Sequence, residues 1–351
     1  MSISINLIGK VPPPIGGVTI HTLRLYQWLK KKDDIKIILS ALNKHDIKDE
    51  SIQYIGSFFP WIVKKLFFGF REDIVHYQGA NFFGLLLLSL VKKIHPSFKL
   101  IWSIHSEYLV PRLLSNSIFT RAYRQVTLTI VDNINIKTQL INGGFSKENI
   151  YIISPFFMPD NYSSEKSNIL DKYRSENKKI LIFNAFKLVF NAEKQDVYGL
   201  DTLLKSFDLV DTNTILILLI PSMNKLEKDY YNSLLSKVDK KNRERIILIN
   251  DIKTEGWKYI QSADIFIRPT ITDGDALSIR EALYTGVATL VSDCTVRPKG
   301  VHLFKTSDHE SLAQSLNSLL VNKDLESPTI EENNIDLFVE CYKKLKYREG
   351  V

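Results

Sequence analysis

Short apolar segments alternate with helical segments along almost the whole chain, and this alternation constrains the fold more than any other feature. Six segments of strand character precede residue 155: Ser4–Gly9, Ile35–Ala41, Asp73–Gly79, Lys99–His105, Leu128–Asn133 and Ile150–Ser154. Five more follow residue 177: Lys179–Ala185, Thr214–Ile220, Arg245–Asn250, Ala263–Pro269 and Val287–Asp293. Near-continuous apolar strands separated by helices are typical of parallel, doubly wound sheets. The pattern therefore predicts an α/β protein.

The segment Pro155–Asn177 interrupts the alternation, because it is rich in proline, serine and charged residues. It predicts a hinge between two Rossmann-like domains, residues 1–160 and 175–330, which face a cleft. The remaining residues, 331–351, contain a terminal helix over Ile335–Tyr347 that can return to the first domain. In open α/β sheets ligands bind beyond the carboxyl ends of the strands, so residues that directly follow a strand are the first functional candidates.

Composition and charge exclude several classes of protein. The net charge of +7 is modest for 351 residues, and no zinc-finger spacing or RNP-like aromatic pattern accompanies it, so we expect no nucleic-acid partner. The two cysteines are far apart in sequence, which favours a reducing compartment. The N-terminus resembles a core strand rather than a signal peptide, and the longest apolar run, Phe82–Val91, is shorter than the ~20 residues of a spanning helix. We expect a cytoplasmic protein.

The stretch "RPTITDGDALSIREALYTGVATLVSD", residues 268–293, places two carboxylates around the start of one helix. We expect this helix to begin near Leu277, with Asp275 near the N-cap and Gly286 just beyond its end. Glu281 is expected to point away from the face that packs on the sheet. Free backbone N–H groups at a helix start favour a phosphate or a sugar oxygen. An acidic turn followed by a solvated glutamate fits the same residues.

This stretch resembles the signature of retaining glycosyltransferases of family 4, which have the GT-B fold. In that signature an acidic residue precedes a glutamate by eight positions, as Asp273 precedes Glu281. The resemblance implies that Glu281 holds the ribose hydroxyls of a nucleotide and that Asp273 contacts hydroxyls of the donor sugar. It also implies that the backbone of Gly274, Asp275, Ala276 and Leu277 lies against the sugar and the diphosphate. The first acid is usually Glu in the family, and Asp273 is one methylene shorter.

The loop after the first strand and the end of the fourth predicted strand carry further candidates. Gly16 and Gly17 precede a helix and allow close approach of a ligand, like the family's Gly-Gly turn. No G-x-G-x-x-G is present, which disfavours a nicotinamide cofactor. His105 ends the strand Lys99–His105, where the family often has a histidine near the donor sugar; a structural histidine satisfied by a neighbouring loop is the alternative. His21 and His76 are interpreted as packing residues.

The cations that bind the donor diphosphate are the clearest departure from the family. The family's arginine position is occupied by Phe186, and Tyr198 stands where a lysine is usual. A buried diphosphate needs cations. Lys187 and Lys194 are the nearest substitutes, and Arg268 and Lys299 are further candidates. The equally ordinary alternative is that these residues lie on the surface.

The resemblance implies a retaining, metal-independent transfer of a sugar from a nucleotide diphosphate sugar to an acceptor hydroxyl. The catalytic candidates are Asp273, Glu281 and His105, and no cofactor or metal site is expected. The acceptor would be a lipid-linked or oligosaccharide molecule in bacterial cell-surface polysaccharide synthesis. The aromatic and basic segment Phe58–Phe70 suits peripheral contact with the inner face of the membrane, or a buried helix. An epimerase or hydrolase of the same fold, a non-catalytic nucleotide-sugar binder and a Rossmann oxidoreductase are the alternatives.

Overall fold

The computed structural model describes residues 2–159, 162–163, 168–174, 178–251, 255–321 and 334–347. The chain divides into two compact units. The first comprises Met1–Asn161 and Asn333–Val351, and the second comprises Tyr162–Glu332.

The first unit is built on a seven-stranded parallel sheet. Its strands are β1 (Ile3–Gly9), β2 (Ile35–Ala41), β3 (Ile52–Tyr54), β4 (Ile74–Tyr77), β5 (Lys99–Ile104), β6 (Leu128–Val131) and β7 (Ile150–Ile152), in the order β3-β2-β1-β4-β5-β6-β7. Its helices are α1 (Gly17–Lys30), α2 (Phe58–Phe68), α3 (Phe82–Ile94), α4 (Leu109–Leu114), α5 (Ser117–Tyr123), α6 (Ile134–Asn142) and, from the end of the chain, α14 (Ile335–Tyr347). A short 3-10 helix, Lys147–Asn149, precedes β7.

The second unit is built on a six-stranded parallel sheet. Its strands are β8 (Lys179–Asn184), β9 (Thr214–Leu219), β10 (Ile246–Ile249), β11 (Ile265–Arg268), β12 (Ala288–Ser292) and β13 (His302–Phe304), in the order β10-β9-β8-β11-β12-β13. Its helices are α7 (Asp171–Arg174), α8 (Leu200–Phe207), α9 (Lys225–Leu235), α10 (Lys240–Arg243), α11 (Gly256–Gln261), α12 (Leu277–Tyr284) and α13 (His309–Val321). A 3-10 helix, Asn168–Leu170, leads into α7.

Each sheet is buried on both faces, as the continuous apolar strands require. In β1, Leu7 belongs to the core on one face and Ile8 to the core on the other. In β8, Phe183 and Ile182 divide in the same way. Successive side chains of a strand point to opposite faces, so a strand covered on both sides must be apolar throughout.

The predicted fold class is confirmed as two parallel-sheet, Rossmann-like α/β units. The sequence missed two strands, Ile52–Tyr54 and His302–Phe304, which lie at sheet edges. Each has three residues and is partly exposed, so neither produces an apolar run. The terminal helix α14 has the predicted bounds, and Phe338 and Tyr342 on it are buried in the core of the first unit.

Both sheets reverse their strand order near the middle, and these points define where ligands are expected. In the first unit the reversal lies between β1 and β4, and in the second it lies between β8 and β11. The loops that leave the carboxyl ends of two adjacent strands diverge at such a point and leave a crevice. The residues that follow β1, β4, β8 and β11 are therefore the ones to inspect.

The segment Phe58–Phe70 forms helix α2 over Phe58–Phe68. Ile62 is the buried residue of this helix, while Phe67 and Phe68 are 75% and 83% exposed. Phe58 and Trp61 pack against the core of the first unit, whereas Phe59, Phe67 and Phe68 are exposed. Within the part of the chain that the structure describes, no helix combines the length and the apolar character needed to cross a bilayer.

Candidate functional site

In the second unit, a buried ionic cluster lies where β11 ends. Arg268, the last residue of β11, donates from Nε and Nη2 to the carboxylate of Asp273 at 2.7 and 3.0 Å. Arg297 donates from Nη1 to the same carboxylate at 2.9 Å. The Thr270 hydroxyl adds a contact of 3.2 Å. The side chains of Asp273 and Arg297 are only 8% and 3% exposed, so the cluster belongs to the interior of the second unit.

The electrostatics of this cluster favour the charged forms of its members. Burial by itself raises the pKa of Asp273, but the charges and hydrogen bonds of Arg268 and Arg297 outweigh burial and leave that pKa below its usual value. Burial lowers the pKa of Arg268, and Asp273 reverses the effect and raises it. Two guanidinium groups and one carboxylate leave a net charge of +1, which suits an anionic ligand.

Helix α12 begins at Leu277 as predicted. Ala276 occupies the N-cap and supplies no side-chain hydrogen bond. Asp275 directly precedes it, close to the N-cap as expected, and its carboxylate accepts from Nε of Arg280 at 2.5 Å. Gly286 has a φ of 74° directly after the C-cap Thr285, which confirms the predicted helix end.

Glu281 lies in a different environment from the one expected. The sequence placed it away from the packed face of α12, yet it is only 7% exposed. Helix α12 contacts α11 as well as β11 and β12, so more than one of its faces is covered. A carboxylate buried to this degree is unusual unless it has a specific task or partner.

A second helix start in this unit approaches the end of β11. Gly199, the N-cap of α8, has a φ of 71°, and a Cβ added there would lie 1.9 Å from the carbonyl oxygen of Pro269. Asp196 accepts from the backbone N–H groups of Tyr198 and Leu200 at 2.9 and 2.6 Å. The loop after β8 and the loop after β11 are thus in contact at the point where the strand order reverses.

The predicted lysines do not join the ionic cluster. Lys187, Lys194 and Lys299 are exposed, and none of their side chains forms an ion pair with another residue in the described ranges. Lys194 has a φ of 61° and lies in a tight turn that Asn191 closes. Arg268 is the one predicted cation of this set that is buried with Asp273. Arg297, which the sequence analysis did not select, supplies the second cation.

In the first unit, Gly16 and Gly17 lie at the start of α1, after β1. The fold itself does not demand glycine here: Gly16 has an extended backbone, and a Cβ on Gly17 would meet nothing within 4 Å. Gly274 in the second unit is similar, since a Cβ there would also meet nothing within 4 Å. Open space beside Gly17 and Gly274 is consistent with ligand sites, where a side chain would obstruct approach.

The carboxyl ends of β4, β5 and β6 bring a second polar cluster together in the first unit. His105, which follows β5, lies with Nδ1 2.9 Å from Oδ1 of Asp132 and with Nε2 2.7 Å from Oε1 of Gln78. The ring of His21 lies edge-on to it at a centroid distance of 5.0 Å. His21 is buried, with Nδ1 2.7 Å from the carbonyl oxygen of Pro155, and it lies among packed rings.

Several residues of these two clusters were missed by the sequence analysis. Gln78 and Asp132 directly follow β4 and β6, so the rule that selected His105 could have selected them as well. Arg297 and Arg280 do not follow a strand directly, and no local pattern marked them. In the described part of the chain, no group of three or more His, Cys, Asp or Glu side chains is arranged to hold a metal ion.

One family model matches part of the second unit. Residues 186–322 match the family model described as Glycosyl transferases group 1. The matched region contains Glu281 and the three charged residues of the ionic cluster, Arg268, Asp273 and Arg297. No curated protein sequence matches the chain.

Solved structures with the same fold include nucleotide-sugar complexes. Anabaena Alr3699/HepE in complex with UDP-glucose has a TM-score of 0.69 and 12% identity, covering 97% of this chain and 98% of its own. A glycosyltransferase from Rickettsia africae ESF-5 has a TM-score of 0.71 and 14% identity, covering 99% and 100%. The lipopolysaccharide outer core galactosyltransferase WaaB, in its apo form, has a TM-score of 0.59 and 12% identity, covering 98% and 95%. At these identities the likeness shows a shared fold, GT-B. Together with the family match, this fold supports a glycosyltransferase.

Proposed function

We propose that this protein is a retaining glycosyltransferase that moves a sugar from a nucleotide diphosphate sugar to an acceptor hydroxyl. The proposal rests on the agreement of two observations. The group 1 family match covers the residues that cluster where the second sheet reverses its strand order, which is the expected ligand position of such a sheet.

The charges of the second unit suit a diphosphate. The cluster of Arg268, Asp273 and Arg297 has a net positive charge, and its geometry is fixed by four hydrogen bonds before any ligand arrives. Such preorganised groups stabilise developing negative charge without reorganisation. In this proposal the leaving diphosphate accumulates charge near this cluster, and Lys187 and Lys194 contribute from the surface.

The carboxylates act in two ways. Glu281 on α12 is the proposed acceptor of hydrogen bonds from the ribose hydroxyls. Asp273 already accepts from two arginines, so its contact with a sugar hydroxyl requires it to share an oxygen with Arg268. Its main task in this proposal is to hold Arg268 and to place the backbone of Gly274–Leu277 against the donor. That arrangement accommodates the shorter aspartate where the family usually has glutamate.

The first unit carries further residues to which the proposal assigns substrate binding. Gly16 and Gly17 leave room for the donor phosphates or the acceptor, and His105 contacts the sugar. The transfer is proposed to need no metal and to retain the anomeric configuration, with the leaving diphosphate accepting the proton of the acceptor hydroxyl. The protein then acts by positioning and charge stabilisation.

The proposed acceptor is lipid-linked or an oligosaccharide in bacterial cell-surface polysaccharide synthesis. WaaB, a lipopolysaccharide outer core galactosyltransferase, shares the fold and supports this choice. The exposed aromatic residues Phe59, Phe67 and Phe68 of α2 lie on a helix that also carries Lys64 and Lys65. An apolar face with adjacent lysines suits the surface of an anionic bilayer. We propose peripheral contact there, on the cytoplasmic side.

The test is a donor panel with product analysis. Purified wild-type protein is incubated with UDP-, GDP-, ADP- and dTDP-sugars and with extracts of lipid-linked oligosaccharides, with and without EDTA. Mass spectrometry and anomeric proton couplings of the product report transfer and stereochemistry. Glu281→Gln is the test variant, and Glu244→Gln, an exposed glutamate of the same unit, is the matched control.

Transfer with retained configuration that survives EDTA and falls in Glu281→Gln supports the proposal. Release of free nucleotide or an epimerised sugar without acceptor would replace it with the hydrolase or epimerase alternative. Donor binding without turnover would mean that the protein is a non-catalytic nucleotide-sugar binder. Equal activity of the Glu281→Gln and Glu244→Gln variants would remove Glu281 from the site.

A further inference from the structure

The polar cluster beside His105 extends further than a histidine and its carboxylate. Gln78 is only 2% exposed, and its amide bonds two histidines at once. Oε1 lies 2.7 Å from Nε2 of His105, and Nε2 lies 3.1 Å from Nε2 of His76. Hydrogen bonds at both ends of its amide hold this buried glutamine in place.

His76 holds the far side of that amide. It is fully buried, and burial together with the nearby His105 lowers the pKa of His76 to about 3, so the ring is neutral. A neutral imidazole has one N–H and one bare nitrogen. The bare Nε2 accepts from Gln78 and lies 2.8 Å from the Ser103 hydroxyl. The remaining Nδ1–H then donates to the phenol oxygen of Tyr342, at 2.8 Å.

Tyr342 connects this chain of hydrogen bonds to the end of the polypeptide. It lies on α14, more than 260 positions after His76 in sequence, and it is fully buried in the core of the first unit. Its ring also lies at 5.8 Å from the ring of His76. Helix α14 is thereby linked to His105 by three hydrogen bonds in series.

We propose that Gln78 is a positioning residue for His105, opposite Asp132, and that Tyr342 of the C-terminal helix fixes Gln78 through His76. Asp132 alone binds one nitrogen of the ring and leaves its rotation about that contact open. Gln78 removes this freedom, because it binds the second nitrogen. His21, packed edge-on, restrains the ring from a third side.

The proposal rests on the proposed function where it concerns catalysis, since His105 is proposed to lie against the donor sugar. Because Asp132 and Gln78 bind both of its ring nitrogens, His105 would present a C–H edge of the ring to the sugar. A ring displaced by a fraction of an ångström loses alignment with a reacting group, and such errors reduce rates by up to about a hundredfold. The relay, the chain of hydrogen bonds from Tyr342 through His76 and Gln78 to His105, therefore assigns a catalytic effect to Tyr342. This residue lies in the core, on the last helix.

The first measurement needs no activity. The histidine rings of full-length protein are labelled with nitrogen-15, and the His105 ring resonances are compared in wild type, Tyr342→Phe and Gln78→Leu. Tyr347→Phe, which changes an exposed tyrosine of the same helix, is the control. The relay predicts that Tyr342→Phe moves the resonances of both His76 and His105, whereas Tyr347→Phe moves neither. A Tyr342→Phe shift confined to His76 would overturn the relay.

The second measurement follows turnover of the donor identified in the panel. Gln78→Leu and Tyr342→Phe are expected to lower kcat by about tenfold or more with little change in the donor KM, because position rather than binding is lost. Gln78→Glu keeps an oxygen toward His105 and is expected to recover part of the loss. Thermal unfolding of every variant separates misfolding from mispositioning.

The two proposals fail in different ways. Coupled ring resonances without any sugar transfer would leave the relay standing and remove the transferase function. Sugar transfer with unchanged His105 resonances and unchanged kcat in Tyr342→Phe would leave the function standing and refute the relay.

Discussion

Removal of Asp273 should destabilise the second unit strongly, because two arginines depend on it. The side chains of Arg268 and Arg297 are 12% and 3% exposed, and Asp273 is the carboxylate that both of them bind. Breaking a buried ion pair by deleting one partner costs about 3–5 kcal/mol, since an uncompensated charge stays buried. We expect Asp273→Ala to lose that amount of unfolding free energy. Asp273→Asn should lose less, because it keeps one acceptor oxygen and the shape of the site.

A double variant tests the origin of the loss. In Asp273→Ala the buried charge of Arg297 has lost its partner, so replacing that arginine with Met should cost less in this background than in wild type. The difference between the two costs is the coupling energy, and we expect about 1–3 kcal/mol. A coupling near zero would mean that the cluster is held by packing rather than by charge.

The pH dependence of the stability that Asp273 contributes has a definite sign. The pKa of Asp273 in the folded protein lies below its usual value, so its stabilising effect is present above the unfolded pKa of about 4 and is lost as the pH falls through the folded pKa. The stability gap between wild type and Asp273→Asn should therefore shrink when the pH is lowered from 4.

Urea denaturation followed by fluorine NMR provides the assay. Of the four tryptophans, Trp257 is the one in the second unit, so its 5-fluorotryptophan signal reports on that unit. Urea is preferable to guanidinium, because added salt would screen the charges under study. Asp229→Ala, at an exposed aspartate of the same unit, is the control. If Asp273→Ala costs no more than this control, the buried-cluster reasoning is refuted.

Three further perturbations follow from the structure. Burial raises the pKa of Asp196 to about 6, so this group disfavours the folded state as the pH rises from about 4 to 6; Asp196→Asn should weaken that decline in urea titrations. Gly199→Ala should cost at least about 2 kcal/mol, because φ is 71° and the new Cβ would meet the carbonyl of Pro269. The double variant of Phe67 and Phe68 to Ser should weaken sedimentation with anionic vesicles by about tenfold or more, because two exposed apolar side chains are lost.

Each of these three test variants has a matched control. Asp229→Asn replaces an exposed aspartate of the same unit and should leave the pH profile unchanged. Gly274→Ala should change stability by less than about 0.5 kcal/mol, since a Cβ there meets nothing within 4 Å. Leu226→Ser removes an apolar side chain that is 77% exposed on the second unit and should not affect vesicle binding. A test variant that behaves like its control would contradict the corresponding argument.

The sequence was informative wherever the signal is local. Apolar runs located every internal strand of both sheets, and the bounds of α14 agreed with the structure. The start of α12 at Leu277 and its end before Gly286 were also predicted, because Gly at a helix end has a direct conformational cause. The edge strand His302–Phe304 was not predicted, since a short, half-exposed strand has no periodicity to detect.

The sequence by itself determined two parallel α/β sheets and predicted that candidate functional residues lie at their strand ends, because strand periodicity and helix signals depend on near neighbours in the chain. Only the tertiary structure decided the partners. Arg297 reaches Asp273 from 24 positions away, helix α11 covers a face of α12, and Tyr342 meets His76 across most of the chain. Which strand ends become neighbours depends on the order of strands in the sheet, and that order is set by the burial of whole faces.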